Sequence, residues 1–317
     1  MNTVLVTGGC GLIGRYICSG LLKKGNTVIA VDENENGYNE GKLNYSFIES
    51  ACDDKDSYEK IFRENKIDIV IHASCTVDND FGPTVTETQM AISGVCDRFI
   101  YDYALNNGVR EFILLSTYQV YDFQKTREPV REDHKLKPVT NYACLKLESE
   151  KAFITELQKH KEVIGCIIRL APVYTHDFID NLMSKIKDPK DNSVFVAGTG
   201  QYGFQLCCLH NLVDFIMCYV KSADDSSYTG TYNVCDKHLT TASDIIAFMR
   251  ENYHLGTVVS RNTGGTISKI KGIFSKNSDE KENYRYLDLN KLENNNMLDY
   301  TKAMKIAIFR WDIKNTK

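Results

Sequence analysis

Tyr142 and Lys146, in the stretch Asn-Tyr-Ala-Cys-Leu-Lys, stand at i and i+4 and share one face of a predicted helix. A phenol with its ordinary pKa of ~10 is a poor base near neutrality. A neighbouring ammonium favours the phenolate and lowers that value, and a cationic cofactor would act in the same direction. Beside a nicotinamide, such a pair suits the proton transfer of a hydroxyl–carbonyl exchange. Alone the spacing is common on helix surfaces, so its weight comes from its company. Leu114 to Tyr121 reads Leu-Leu-Ser-Thr-Tyr-Gln-Val-Tyr and places Ser116 and Thr117 at the carboxyl end of a predicted strand. Open α/β sheets bind ligands at that edge. There Thr117 can hydrogen-bond a sugar oxygen and relay a proton; the plainer reading is ordinary strand-end capping.

A third stretch supplies the place for a cofactor. Val6 to Gly14 reads Val-Thr-Gly-Gly-Cys-Gly-Leu-Ile-Gly, with Gly8, Gly11 and Gly14 three apart. An apolar run, Thr3 to Val6, precedes it, and Ile13, Ile17 and Leu21 follow at helical spacing. Gly25 is placed to end that helix, and a second apolar run from Thr27 stops at Asp32. Glycines where a strand turns into a helix permit a tight turn and close approach of backbone to a pyrophosphate. The helix N-terminus offers free N–H groups to the phosphates. Asp32 suits a ribose diol and repels a 2′-phosphate, which favours NAD over NADP. The bland alternative is a tight turn without a ligand; strand, helix and distal acid together argue against it.

The elements that must position these residues alternate. Strands are predicted at Tyr45–Ile48, Ile67–His72, Glu111–Leu115 and Val163–Ile168. Helices are predicted at Asp56–Glu64, Met90–Asn106 and Tyr142–Gln158. This order points to α/β class, a doubly wound parallel sheet with helices on both faces. After Pro172 the rhythm loosens, and Thr263–Tyr284, rich in Gly, Ser, Lys, Glu and Asn, reads as a mobile excursion or a disordered segment.

Bulk properties exclude several classes. The 317 residues are 43% hydrophobic and 25% charged, as in soluble globular proteins. A net charge of −4 and the lack of basic runs argue against nucleic acid. No apolar run reaches a membrane span of ~20 residues, and the first residues read as a strand rather than a leader. Eleven cysteines without metal-ligand spacing suit free thiols in a reducing cytoplasm and no metal site.

Taken together, these stretches resemble the extended short-chain dehydrogenases/reductases, in the NAD-dependent sugar epimerase/dehydratase group and near its UDP-sugar 4-epimerases. Thr7–Gly14 meets the T-G-x-x-G-x-x-G motif, Asp32 the acid after the second strand, and Asp53 the acid that faces adenine. Ile71-His72-Ala73-Ser74 meets the H-x-A strand end, Ser116–Tyr121 the S-S/T-x-x-V-Y motif, and Tyr142–Lys146 the Y-x-x-x-K motif. Arg169–Tyr174, Gly198–Gly200, His210–Ile216 and Gly230–Asp236 follow its C-terminal landmarks.

The resemblance implies a modified Rossmann domain over residues 1–172. Residues 173–317 would form mainly a substrate lobe, with segments near 204–235 returning to the first domain. It implies Thr117, Tyr142 and Lys146 as catalytic residues. NAD would be held by Gly8, Gly11, Leu12, Ile13, Gly14, Asp32, Asp53, Ala73, Ser74, Ser116, Tyr142 and Lys146. A nucleotide-sugar would meet Thr117, Tyr118, Gln119 and Arg285. It further implies a homodimer joined through the helices near 90–106 and 142–158. The departures are Ala91 for an asparagine, Pro172 for another, Phe204 for a diphosphate-gripping arginine, and His210-Asn211 for paired acids. The acids of 4,6-dehydratases are missing at Tyr118 and Gln119. Three readings stand: a C4 epimerase, a keto-sugar reductase or dehydrogenase of the same family, and a non-catalytic NAD-sensing regulator.

Overall fold

The computed structural model describes residues 1–75, 87–123, 128–187, 193–222, 226–261 and 297–316. Its centre is a seven-stranded parallel sheet. The strands are β1 (Thr3–Thr7), β2 (Thr27–Asp32), β3 (Tyr45–Glu49), β4 (Ile69–His72), β5 (Glu111–Thr117), β6 (Ile164–Leu170) and β11 (Gly230–Val234). Their order is β11-β6-β5-β4-β1-β2-β3. Between them run α1 (Leu12–Lys23), α2 (Lys55–Glu64), α3 (Glu87–Asn106), α4 (Asn141–Leu157) and α6 (Leu209–Ser222). The chain winds outward from β1 to β3, then returns to β4 on the other side of β1. That reversal opens a crevice at the carboxyl ends of β1 and β4, where such sheets bind ligands.

Alternation along the strands builds both faces. Val4 and Val6 of β1, Ile69 and Ile71 of β4 and Ile113 of β5 pack with Ile17 and Leu21 of α1 and Phe215 of α6. Leu5, Val70 and Phe112 point the other way, onto Tyr58 of α2, Tyr101 of α3 and Phe153 of α4. Period-2 strands buried on both faces read as continuous apolar runs, which is why these strands were legible in the sequence. The start of β4 is a correction: the predicted strand began at Ile67, but the ladder begins at Ile69. Asp68 is spent elsewhere, its carboxylate accepting the Thr3 amide at 2.8 Å. Helix α3 starts three residues earlier than its apolar spacing suggested.

Beyond Leu170 come β7 (Val173–Tyr174), α5 (Asp180–Met183), β8 (Val194–Ala197), β9 (Gly203–Phe204) and β10 (Cys207–Cys208). After β11 follow β12 (Thr240–Thr241), α7 (Ala242–Asn252) and β13 (Val258–Arg261). These form small two-stranded pairings, β7 with β10, β9 with β12 and β8 with β13. A third apolar cluster joins them, including Leu182, Phe204, Ile245 and Met249. Asp236, just past β11, ties this region together. It accepts the Tyr174 hydroxyl at 2.7 Å, the Cys208 amide at 2.6 Å and the Asn211 side-chain amide at 2.9 Å. Burial nevertheless pushes its carboxyl up to about 7. The residues 263–284 and Arg285 lie outside the described residues. The eleven cysteines carry free thiols. Among the described residues no helix is long and apolar enough to cross a membrane.

Helix α4 is fixed to the sheet by an ion pair without access to water. Arg169 on β6 grips Glu150 with Nη2–Oε2 at 2.7 Å and Nε–Oε1 at 3.1 Å; the two residues are 5% and 1% exposed. Removing one partner of such a pair strands a buried charge. Arg169→Met is therefore expected to lower unfolding free energy by about 3–5 kcal/mol in urea denaturation. The double variant Arg169→Met/Glu150→Leu should recover most of that loss.

Candidate active site

The glycine loop forms where β1 ends. Gly8 takes φ +65°, the left-handed region that favours glycine. A Cβ there would also meet the Ser74 amide nitrogen at 2.8 Å. A Cβ on Gly14 would run into the Gly8 carbonyl. Asp32, at the tip of β2, braces the turn: one carboxylate oxygen accepts the Cys10 and Gly11 amides, both at 3.0 Å. Its other oxygen accepts the Glu33 amide at 2.9 Å. The segment after β2 lies against the loop, Asn36 donating its side-chain amide to the Cys10 carbonyl and Asn39 to the Arg15 carbonyl.

The residues present fit a dinucleotide. Gly11 is the N-cap of helix α1 and gives it no side-chain cap. By contrast α2, α4 and α7 are capped by Asp54, Thr140 and Thr241. The first amides of α1 thus stay available beside an exposed Gly11, with Leu12 and Ile13 next in line. Gly8, Gly11, Gly14, Asp32, Ala73 and Ser74 come together around this opening. Asp53 is exposed in the turn after β3, which is joined to Asp32 through the Ser50 amide at 3.0 Å.

Beneath the loop lies a buried chain of polar contacts. Thr7 Oγ1 meets His72 Nδ1 at 2.7 Å, and His72 Nε2 meets Asp97 on α3 at 2.9 Å. The Ser74 hydroxyl donates to Thr7 at 3.1 Å, and the Ala73 amide donates to the Thr7 carbonyl at 3.1 Å. Although Asp97 is buried, the hydrogen bond from His72 and the charge of Lys146 hold its carboxyl below the usual range.

Helix α4 carries Tyr142 and Lys146 at the same edge. Thr140 caps it, accepting the Ala143 amide at 2.8 Å. Tyr142 is half-buried and Lys146 buried. Burial pushes the Tyr142 phenol up, and Lys146 opposes that shift. Burial also opposes the charge on Lys146, but Cys75, Tyr142, Asp97 and Glu150 outweigh it and hold the ammonium above its ordinary pKa. Thr117, at the end of β5, is buried and accepts the Gln119 amide at 3.3 Å. Tyr118 is buried and Gln119 half-exposed in the helical turn that follows. The Gln119 side chain accepts the Thr140 hydroxyl at 3.5 Å. Ser116 turns the other way and donates its hydroxyl to Glu150 under the helix.

Sequence reasoning missed three of these groups. Glu150 follows Lys146 by four residues, so helical spacing was the signal that could have found it. Cys75 and Asp97 had no such signal, since both reach Lys146 only through tertiary packing.

Residues 4–235 match the model of the NAD dependent epimerase/dehydratase family. A dTDP-D-glucose 4,6-dehydratase of Dictyostelium discoideum is 33% identical over 132 residues, 38% of this chain and 30% of that protein. UDP-glucose 4-epimerase 3 of Oryza sativa subsp. japonica is 30% identical over 167 residues, 48% of this chain and 43% of that protein. The chain thus spans about a third to a half of the curated relatives it matches. Among solved structures, a UDP-glucose-4-epimerase from Stenotrophomonas maltophila with bound NAD and formylated UDP-arabinopyranose superposes with TM-score 0.74 at 15% identity. That match covers 100% of this chain and 96% of the other. A UDP-glucuronic acid 4-epimerase from Bacillus cereus in complex with NAD gives TM-score 0.63 at 18% identity, covering 96% and 99%. At these identities the superpositions speak for the fold alone.

Because a side chain at Gly14 would collide with the Gly8 backbone, Gly14→Ala is expected to distort the loop. Calorimetric titration should show loss of NAD binding, while Gly25→Ala, at the far end of α1, retains it. The glycine loop, the sheet reversal and the family match agree: the chain belongs to the NAD dependent epimerase/dehydratase family.

Proposed function

We propose that this protein is an NAD-dependent nucleotide-sugar epimerase that inverts C4 through a transient keto sugar. The observation that carries the reading is the Tyr142–Lys146 pair on α4, set at the carboxyl edge beside Thr117, with no acid at Tyr118 or Gln119 in the adjoining turn. A 4,6-dehydratase needs acids there to expel water, so the resemblance to such enzymes extends to the fold and cofactor only. In this reading residues 1–172 hold the cofactor and 173–317 contribute mainly the sugar-nucleotide lobe.

The Tyr142 phenolate takes the proton of the C4 hydroxyl. Lys146 stabilises that phenolate and hydrogen-bonds the ribose. Thr117 holds the reacting oxygen. Bound NAD supplies the acceptor and donor of a hydride at C4. The keto sugar then turns over in the site, so that the hydride would return to the opposite face of C4 while Tyr142 gives its proton back to the C4 oxygen. Asp32, with no Arg or Lys in the residues just after it, supports NAD rather than NADP. With Phe204 in the place of an arginine, the diphosphate needs another cation. Lys185, whose ammonium lies 5.9 Å from the Phe204 ring centre, supports one source.

The reading extends to assembly and location. Ile92, Val95 and Ile154 are exposed on α3 and α4, at 37%, 52% and 41%. Apolar side chains on those two helices support docking of a second copy there. The free thiols support a reducing compartment such as the cytoplasm.

Incubation with pairs of C4-epimeric nucleotide sugars should interconvert them with no net change in reduced nicotinamide absorbance. Stoichiometric NADH production or consumption would make the protein a dehydrogenase or reductase. NAD binding without turnover of any such sugar would favour the regulator. Tyr142→Phe should lower turnover by about 10²–10⁴-fold with NAD affinity retained.

The pH profile tests the role of Lys146. Lys146 opposes the upward shift of the Tyr142 phenol. In Lys146→Met that opposition is gone, so the phenolate forms only at higher pH. The rising limb of kcat/KM should therefore move to higher pH, beyond any loss in NAD affinity. An unmoved limb in this variant would assign the titration to another group.

A further inference from the structure

Cys52 and Cys96 come from distant parts of the chain and meet beside the cofactor crevice. Cys52 lies in the turn between β3 and α2; Cys96 lies on α3. Their sulfurs are 3.2 Å apart, with the Cys96 thiol donating to Cys52. A disulfide of ~2.05 Å needs only about 1.2 Å of further approach. Cys52 is partly open to solvent, whereas Cys96 is 5% exposed. One sulfur is thus reachable by a small oxidant, and the second waits behind it.

The electrostatics divide the roles in the same way. The hydrogen bond from Cys96 draws the Cys52 thiol below its ordinary pKa. The same contact, burial and the charges of Asp53 and Asp97 push Cys96 up. Elsewhere burial raises the thiols of Cys10, Cys18, Cys166, Cys207, Cys208 and Cys235. Thiolate character and access govern oxidation, so Cys52 should react first.

We propose that Cys52 and Cys96 form an oxidisable dithiol whose disulfide ties the turn after β3 to helix α3 and weakens dinucleotide binding. The oxidant is a peroxide. The Cys52 thiolate attacks one peroxide oxygen, the O–O bond breaks, and the departing hydroxide takes the thiol's proton as water. This leaves Cys52 as a sulfenic acid. The Cys96 sulfur then attacks Cys52, the S–O bond breaks, and hydroxide leaves with the Cys96 proton as a second water. Two thiols lose two electrons in all, and one peroxide becomes two waters. A thiol reductant reverses the bond.

The link to the cofactor is structural and rests on the NAD assignment. Cys52 precedes Asp53, in the turn whose Ser50 amide donates to the Asp32 carbonyl. Cys96 precedes Asp97, the partner of His72 beneath the glycine loop. Closing the two sulfurs therefore pulls on both sides of the crevice at once.

The test is peptide mapping of the full chain after brief hydrogen peroxide treatment, with free thiols alkylated before and after reduction. The expected first product is a cross-linked peptide carrying Cys52 and Cys96, reversed by dithiothreitol. Cys96→Ser should stall at a Cys52 sulfenic acid that dimedone traps, and Cys52→Ser should leave Cys96 reduced. A different pair forming first, or Cys52 passing to sulfinic acid in the unmutated chain without a cross-link, would overturn the site. Calorimetry should show a severalfold loss of NAD affinity in the oxidised protein and none in peroxide-treated Cys52→Ser. A cross-link with unchanged affinity overturns the coupling. Reduced protein that does not bind NAD overturns the coupling and the cofactor assignment together, while the cross-link result stands.

Discussion

The buried carboxylate of Glu150 is the constraint on which the site's geometry turns. It accepts the Ser116 hydroxyl from β5 and the guanidinium of Arg169 from β6. Arg169 in turn lies over the Tyr121 ring, 4.7 Å from its centre, and donates to the Glu132 carbonyl at 3.0 Å. Desolvating two full charges costs several kcal/mol each, and only near-complete hydrogen bonding offsets it. The pair is therefore a poor choice for stability and a good one for register. Glu150 lies two turns beyond Tyr142 on the same face of α4. Fixing Glu150 against two central strands fixes where Tyr142 and Lys146 stand relative to Thr117.

One residue away, Ser149 serves the other side of the helix. It shares a hydrogen bond with Tyr101 of α3 at 2.6 Å, and it helps hold the neighbouring Asp97 carboxyl below the usual range. Asp97 leads through His72 to Thr7 and the glycine loop. Adjacent residues on one helix thus join the loop, the end of β4 and the ends of β5 and β6. A rigid scaffold of this kind is what proton transfer at a fixed cofactor requires, because small misplacements cost large factors in rate.

The chemistry and the departures fit one account. Lys146 keeps its charge in a buried setting because carboxylates and a thiol surround it. That retained charge opposes the burial that pushes the Tyr142 phenol up. Gln119 and Tyr118 supply no acid for dehydration. They adjoin Thr117 in the turn that follows β5.

Local pattern alone determined much of this protein. Continuous apolar runs marked the strands, because a parallel sheet is buried on both faces. Glycines at 8, 11 and 14 marked the strand-to-helix turn; at Gly8 and Gly14 only a residue without Cβ fits, against the Ser74 amide and the Gly8 carbonyl. Tyr142 and Lys146 were readable as a pair, because helical spacing sets their relation without help from the rest of the chain. The Arg169–Glu150 bridge, the Thr7–His72–Asp97 chain and the Cys52–Cys96 contact were decided only by tertiary structure. Each joins residues from separate elements across the sheet or between helices. No period or motif encodes such a meeting, since it depends on strand order and on how each helix is packed. The same reason turned Ser116 toward Glu150: its position on β5 was readable, but the direction of its hydroxyl followed from the carboxylate placed beneath it.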